Sequence, residues 1–280
     1  MRISVIGCGY LGAVHAASMA ELGHDVVGID VDAAKVARLG QGKAPFHEPG
    51  FEELLERNVR AGRLRFSTDF ADVAGARVHF IGVGTPQQEG SYAADMSQVD
   101  GAVASLLPHL APTPQGPPVV VGKSTVPVGT AAQIAAQVEA RGAILVWNPE
   151  FLREGFAVQD TISPDRMVYG LPRDEQAAQI GRTVLDEVYD DLINRQQIPR
   201  LLTDYATAEL VKVAANSFLA TKISFINAMA ELCEATGADV VQLAEAIGHD
   251  DRIGKKFLRA GVGFGGGCLP KDIRAFMARA

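Results

Sequence analysis

A short apolar run, Arg2–Ile6, passes directly into Gly7-Cys8-Gly9-Tyr10-Leu11-Gly12, and a helical stretch, Leu11–Leu22, follows. No other feature of the chain restricts its fold as much. Glycines at this spacing allow a tight turn, let a pyrophosphate approach the backbone, and let helix and strand pack closely. The helix N-terminus then faces the phosphate charge. A second apolar run, Asp25–Asp30, ends in an acidic residue at the distance expected of a ribose-binding carboxylate. No arginine follows Asp30 immediately, which favours NAD over NADP. An FAD site or a plain glycine turn is the alternative. Gly7, Gly9, Tyr10, Leu11, Gly12 and Asp30 are therefore the first candidate cofactor-binding residues.

The pattern continues. Arg77–Val83, Val119–Lys123 and Ile144–Trp147 read as further buried strands, bounded by Gly, Pro or charged residues. Ala33–Leu39, Phe51–Arg60, Gln98–Leu107 and Thr130–Ala140 read as helices between them. Strands alternating with helices imply βαβ units in a doubly wound parallel sheet, a Rossmann-type α/β fold. Near residue 200 the pattern changes. Tyr205 to about Ala235 has no Gly, no Pro and no strand signal, and Val211, Ala215, Phe218, Phe225, Met229 and Leu232 fall at helical spacing. A helix this long bridges domains or forms a dimer face. Val240–Ile247 reads as another helix, and a glycine-rich loop, Gly261–Gly267, leads to a last one at Lys271–Ala280. The expected domains are 1–200, binding the dinucleotide, and 201–280, mainly helical.

The 280 residues suffice for two such domains. The net charge is −7 with no Lys/Arg block, which argues against nucleic acid or an acidic membrane surface as the main partner. No long uncharged apolar run suggests a transmembrane helix, and no basic flank with a long apolar stretch suggests a signal peptide. Cys8, Cys233 and Cys268 lie far apart with no CxxC pair, which fits a reducing cytoplasm. The six histidines are scattered and suggest no metal site; His249-Asp250-Asp251 reads as a solvated turn.

Several motifs can carry chemistry. Gly82-Val83-Gly84-Thr85-Pro86 and Lys123-Ser124-Thr125-Val126-Pro127 each follow a strand, at the end where ligands of open α/β sheets bind. Asn148-Pro149-Glu150-Phe151-Leu152-Arg153-Glu154-Gly155 follows a third. Glu150 and Glu154 suit a base or a water-orienting group, and equally the acidic start of a helix. Lys212 and Asn216 stand one turn apart on the long helix, so they share a face. A lysine and an amide in apolar company can polarise an alcohol oxygen; the lysine can also snorkel to water. Gly263-Phe264-Gly265-Gly266-Gly267-Cys268-Leu269-Pro270-Lys271-Asp272 sets Cys268 at a helix start near Lys271. Both neighbours favour the thiolate, a nucleophile. Cys8 reads as a variable position of the first turn and Cys233 as helix packing.

Taken together the chain resembles the family of UDP-glucose and GDP-mannose dehydrogenases over essentially its whole length. The resemblance rests on Gly7–Gly12 with Asp30, Gly84-Thr85-Pro86, Ser124-Thr125-Val126-Pro127-Val128-Gly129, Asn148–Glu154 and Gly265–Asp272. Lys212, Asn216 and Lys222-Ile223-Ser224-Phe225 match as well. It implies oxidation of a sugar C6 alcohol to a carboxylate, with two NAD and one water. Cys268 would form a thiohemiacetal and then a thioester. Lys212 and Asn216 would stabilise the C6 oxyanion, and Asp272 would position Lys212 or a water. Glu154, supported by Thr125, would help deliver the hydrolytic water. Thr85, Pro86, Thr125, Glu154, Lys35 and Lys271 would join the first turn in binding NAD. Glu150, Phe151, Leu152, Arg153 and Glu154 would line the sugar, with Lys212 and Asn216. Phe257, Leu258, Gly261 and Gly265 would wrap the diphosphate, and Arg252 would reach a substrate, in this subunit or a partner. The long helix, about 205–235, would form a homodimer core.

Lys222–Phe225 and Asn148–Phe156 resemble UDP-glucose enzymes, whereas Cys268–Asp272 also resembles GDP-mannose enzymes. UDP-glucose is the favoured substrate and UDP-glucuronate the product, with GDP-mannose or another nucleotide sugar as the alternative. The chain departs from the family pattern at Gly267, where a serine is usual, and at Ala228, where a glutamate is common. The family's third, nucleotide-holding domain is not in this sequence, so a truncated NAD-binding and dimerisation fragment without activity is the other expectation. β-Hydroxyacid dehydrogenases also join a Rossmann domain to helices and place Lys and Asn one turn apart, but their two-electron chemistry has no use for Cys268.

Overall fold

The computed structural model describes residues 1–267 and 269–279. Eight strands form one sheet in the order β3-β2-β1-β4-β5-β6-β7-β8. The five strand segments read from the sequence are β1 (Arg2–Ile6), β2 (Asp25–Ile29), β4 (Val78–Ile81), β5 (Val119–Gly122) and β6 (Ile144–Trp147). All of β4, β5 and β6 is buried, as expected of parallel strands covered on both faces. The structure adds β3 (Leu64–Ser67), β7 (Met167–Leu171) and β8 (Arg200–Asp204). β3 and β8 are the two edges, where half-exposed residues such as Arg65, Leu201 and Leu202 dilute the apolar signal.

Register is what builds a site. Ile6 pairs with Ile29 and with Ile81, Ile81 with Gly122, and Gly122 with Trp147. These ends lie in one row, so the loops that begin at Gly7, Asp30, Gly82, Lys123 and Asn148 leave the sheet along one rim. β7 then reverses, antiparallel to β6 through Trp147 and Gly170, and β8 runs parallel to β7. Gly122 has to lack a side chain, because a Cβ there would fall 2.0 Å from the Trp147 ring.

Helices α1 (Tyr10–Glu21), α2 (Ala33–Gly40), α3 (Phe51–Arg60), α4 (Ser97–Leu106) and α5 (Thr130–Glu139) occupy the expected intervals. α6 (Ala157–Ile162) and α7 (Glu175–Val188) are further findings. α8 (Tyr205–Thr236) is one helix of 32 residues, roughly 48 Å long at the usual rise. Asp204 starts it by accepting the Thr207 amide at 2.8 Å. α9 (Val240–Gly248) and α10 (Leu269–Arg279) complete the chain.

The chain forms two compact units, residues 1–86 with 95–210, and residues 87–94 with 211–280. The first holds the sheet and the main apolar core, around Ile3, Val5, Val14, Phe80 and Val121. In the second, Arg274 donates to Gln87 at 3.2 Å, which ties the excursion 87–94 to α10. Lys222 on α8 donates to the Ile253 carbonyl at 2.9 Å, and Asn227 accepts the Gly261 amide at 2.9 Å. Among the described residues no helix is long and apolar enough to cross a membrane, and no group of three or more His, Cys, Asp or Glu is placed to hold a metal ion.

Candidate active site

The three glycines of the first turn do three different things. Gly7 has φ +88°, and a Cβ on it would meet Val83 at 2.5 Å. A Cβ on Gly12 would lie 1.8 Å from the Gly7 carbonyl oxygen, so Gly12 lets α1 press onto the turn. Gly9 has nothing within 4 Å of that position, and no side chain caps the helix after it. The open backbone at Gly9 and the uncapped start of α1, at Tyr10 and Leu11, fit an incoming pyrophosphate. Cys8 faces the other way. It is fully buried, its thiol contacts the Ile29 carbonyl at 3.6 Å, and burial pushes its pKa far up. It has no role as a nucleophile.

Asp30 stands at the end of β2 with its carboxylate turned into this turn. It accepts the Cys8 amide at 2.8 Å and the Asp32 amide at 3.0 Å. Lys35, on the first turns of α2, bridges both oxygens at 3.1 and 3.0 Å. Four donor contacts thus occupy a group with about four acceptor sites. Of these donors, only the Lys35 ammonium sits on a flexible side chain.

The next loops are laced together. Buried Thr85 donates to the Thr125 carbonyl at 2.7 Å, and Ser124 to the Val83 carbonyl at 2.7 Å; Pro86 beside them is exposed. Behind them lies a buried ionic group. Lys123, 5% exposed, reaches Glu150 at 3.0 Å and Asn148 at 3.1 Å. The Asn148 oxygen also accepts the Tyr189 hydroxyl at 3.0 Å, and its amide donates to the Val168 carbonyl at 3.0 Å. The second Glu150 oxygen accepts the amides of Phe151 (2.8 Å) and Leu152 (3.2 Å). His15 on α1 is wholly buried and held neutral, by burial first and by the Lys123 charge second.

Glu150 and Glu154 therefore differ in kind. Glu150 is committed to Lys123 and to backbone amides, whereas Glu154 is exposed. Arg153, also exposed, pairs with Asp160 at 2.6 Å and lies over the Phe156 ring, and Arg166 covers the Phe151 ring at 4.1 Å. Two buried carboxylates had no sequence signal. Glu48 accepts from Tyr10, Gly155 and Ala157. Glu209 accepts the amides of Gly129 (2.7 Å) and Ala131 (2.6 Å), where α5 lacks a side-chain cap of its own. Burial raises the Glu209 pKa, and these amides oppose the shift.

Within the second unit, Asn216 donates to Asp272 at 2.7 Å, and Lys271 pairs with the other Asp272 oxygen at 2.7 Å. Asn216 and Asp272 are buried, and Lys212 is half-buried one turn earlier. A lysine, an amide and a carboxylate thus mark the meeting of α8 with α10. Arg252 is exposed and paired with Asp250 at 2.6 Å, consistent with a solvated turn at 249–251. Leu258 is buried, Phe257 is partly exposed with φ +64°, and Gly261 and Gly265 have open backbone. Cys268, expected to be the nucleophile, lies outside the described residues.

A glycine turn over a parallel sheet, with a ribose-type carboxylate on the second strand, defines the dinucleotide-binding dehydrogenase class. Residues 1–193 match the NAD binding domain of the UDP-glucose/GDP-mannose dehydrogenase family, and residues 206–280 match its central domain. The chain belongs to that family. It is 45% identical to a UDP-glucose 6-dehydrogenase of Rhizobium meliloti, over 100% of this chain and 63% of that protein. It is 43% identical to the UDP-glucose 6-dehydrogenase YwqF of Bacillus subtilis, over 99% and 61%. A UDP-glucose dehydrogenase structure from Pyrobaculum islandicum superposes with a TM-score of 0.88 at 41% identity, covering 99% of this chain and 63% of that one. A GDP-mannose dehydrogenase of Pseudomonas aeruginosa gives 0.81 at 32%, covering 100% and 64%. The chain thus spans less than two thirds of the length of these relatives.

Proposed function

We propose that the chain supplies the NAD-binding and catalytic parts of an enzyme that oxidises the C6 alcohol of UDP-glucose to the carboxylate of UDP-glucuronate. The observation that carries the reading is the Asn216–Asp272–Lys271 cluster, its amide and carboxylate buried, at the start of α10, the helix that follows Cys268 in sequence. A two-electron alcohol dehydrogenase needs no thiol beside such a group. A four-electron enzyme does, because the aldehyde has to be held in place and made oxidisable. The whole-length likeness to UDP-glucose 6-dehydrogenases supports UDP-glucose over GDP-mannose or another nucleotide sugar.

NAD, when bound, accepts the electrons of each oxidation. Gly9 and the start of α1 hold its pyrophosphate. Asp30 would take its ribose hydroxyls, with Lys35 beside it also touching the cofactor. Asn216, ordered by Asp272, donates to the C6 oxygen, and Lys212 stabilises negative charge there. The Cys268 thiolate adds to the aldehyde carbon as a thiohemiacetal. The second oxidation leaves a thioester, which water cleaves to release carboxylate and thiol. Exposed Glu154 orients that water, with Thr125 nearby in sequence order along the rim, while Glu150 stays paired with Lys123 and shapes the sugar pocket. Phe218, Phe225 and Leu232 form an exposed apolar stripe along α8 and serve as the homodimer contact.

The test is the yield of NADH at 340 nm from a limiting amount of UDP-glucose with excess NAD. Two NADH per sugar are expected. One per sugar would point to a two-electron enzyme and remove Cys268 from the chemistry. None, with NAD still bound, would mark the chain as an idle NAD-binding fragment.

A further inference from the structure

Glu48 lies in the irregular stretch between α2 and α3, yet only 5% of it is exposed and both its oxygens are used. One accepts the Tyr10 hydroxyl and the Gly155 amide, the latter at 2.8 Å. The other accepts the Ala157 amide at 2.7 Å. Tyr10 is the first residue of α1, beside Gly9. Ala157 is the first residue of α6, whose preceding residue, Phe156, offers no side-chain cap. The Glu48 carboxylate is therefore the acceptor that α6 lacks locally, delivered from 109 residues away. Phe46 packs on Tyr10 (4.8 Å) and stacks on Phe51 (5.1 Å), which fixes the stretch that carries Glu48.

The acidic segment 150–154 is thus held at both ends. Lys123 pins Glu150 at its start, and Glu48 pins Gly155 and Ala157 just past its finish. We infer that Glu48 is a positioning residue that latches the Glu150–Glu154 segment to the helix opening the dinucleotide turn. Its catalytic consequence rests on the function proposed above; the latch itself does not. Without it, Glu154 stands on a segment held at Glu150 and through Arg153 at Asp160, and the Gly155 and Ala157 amides lose their carboxylate acceptor.

Glu48→Gln keeps the shape but replaces one acceptor oxygen with an NH2 group that faces an N–H donor. Amide hydrogen exchange in the 280-residue chain should then speed up at Gly155 and Ala157 by about tenfold or more, while β1 amides hold their rates. Unchanged exchange at both amides would overturn the latch. In the NADH assay the same variant should lose about tenfold in kcat with KM for NAD within about twofold, and Glu48→Asp, which keeps both acceptors, should regain part of the loss. Full activity alongside faster exchange would overturn the positioning role. A wild-type chain that makes no NADH from any nucleotide sugar counts against the proposed function instead, and the exchange result then decides the latch alone.

Discussion

Two glycine-rich turns lead into helices in this protein, one crowded by its own chain and the other open. In Gly7–Gly12 the chain's own atoms do the shaping: a Cβ on Gly7 strikes Val83, and one on Gly12 strikes the Gly7 carbonyl. In Gly261–Gly267 there is no such crowding among the described residues. A Cβ on Gly261, Gly265, Gly266 or Gly267 would have nothing within 4 Å, and one on Gly263 would meet only Asn227 at 3.9 Å. Gly263 and Gly266 have φ of +96° and +77°, which accounts for two of the five glycines. For the other three, the packing of the described residues gives no such reason. The first turn shows glycine required by packing, and in the second the described residues leave the backbone open. Gly9 is the one position of the first turn that behaves like the second.

Substitutions can separate the two cases. The largest effect belongs to Gly12→Ala. The new methyl group overlaps the Gly7 carbonyl, so α1 has to shift, and urea unfolding should show a loss of about 3 kcal/mol or more. Near-normal stability would mean that the turn is not set by packing, and the contrast would fall. Gly9→Ala comes next and works differently. Stability should hold while NAD binds about tenfold more weakly by calorimetry, about 1.4 kcal/mol, because the methyl group stands where the pyrophosphate approaches. A destabilised fold with unchanged NAD affinity would move Gly9 into the packed class. The smallest effect on folding is expected of Gly265→Ala. Its unfolding free energy should stay within about 0.5 kcal/mol of the parent, whatever happens to turnover. A loss comparable to that of Gly12→Ala would show that the second turn is packed after all.

What was legible in the sequence follows the same division. β4, β5 and β6 are covered on both faces, so burial wrote continuous apolar runs that are easy to read. β8 escaped because it is an edge strand with Leu201 and Leu202 half-exposed, whereas β7 is a buried apolar run, Met167–Leu171, that was as legible as the central strands. Of the site, the Gly7 turn with Asp30 and the Lys212–Asn216 pair were visible as residue types at fixed spacing, whereas Asp272 came only with the family resemblance and its pairing with Asn216 was not read. Glu48 and Glu209 were not. Each serves backbone amides about 80 to 110 residues away in sequence, and an amide carries no residue-specific mark. Lys123 was visible as part of a motif, but its commitment to Glu150 was not, since the two are joined only by the pairing of β5 with β6.

That commitment restricts how the protein can change over generations. Lys123 is 5% exposed and its partner carboxylate 13%. A variant that loses one of the two keeps a lone charge in the interior, at a cost of about 3–5 kcal/mol, a large share of the stability of an ordinary domain. Replacing both with apolar residues is far less damaging to the fold, but no path of single tolerated steps leads there. Lys123 and Glu150 are in effect one heritable character, and the pair stays where it is.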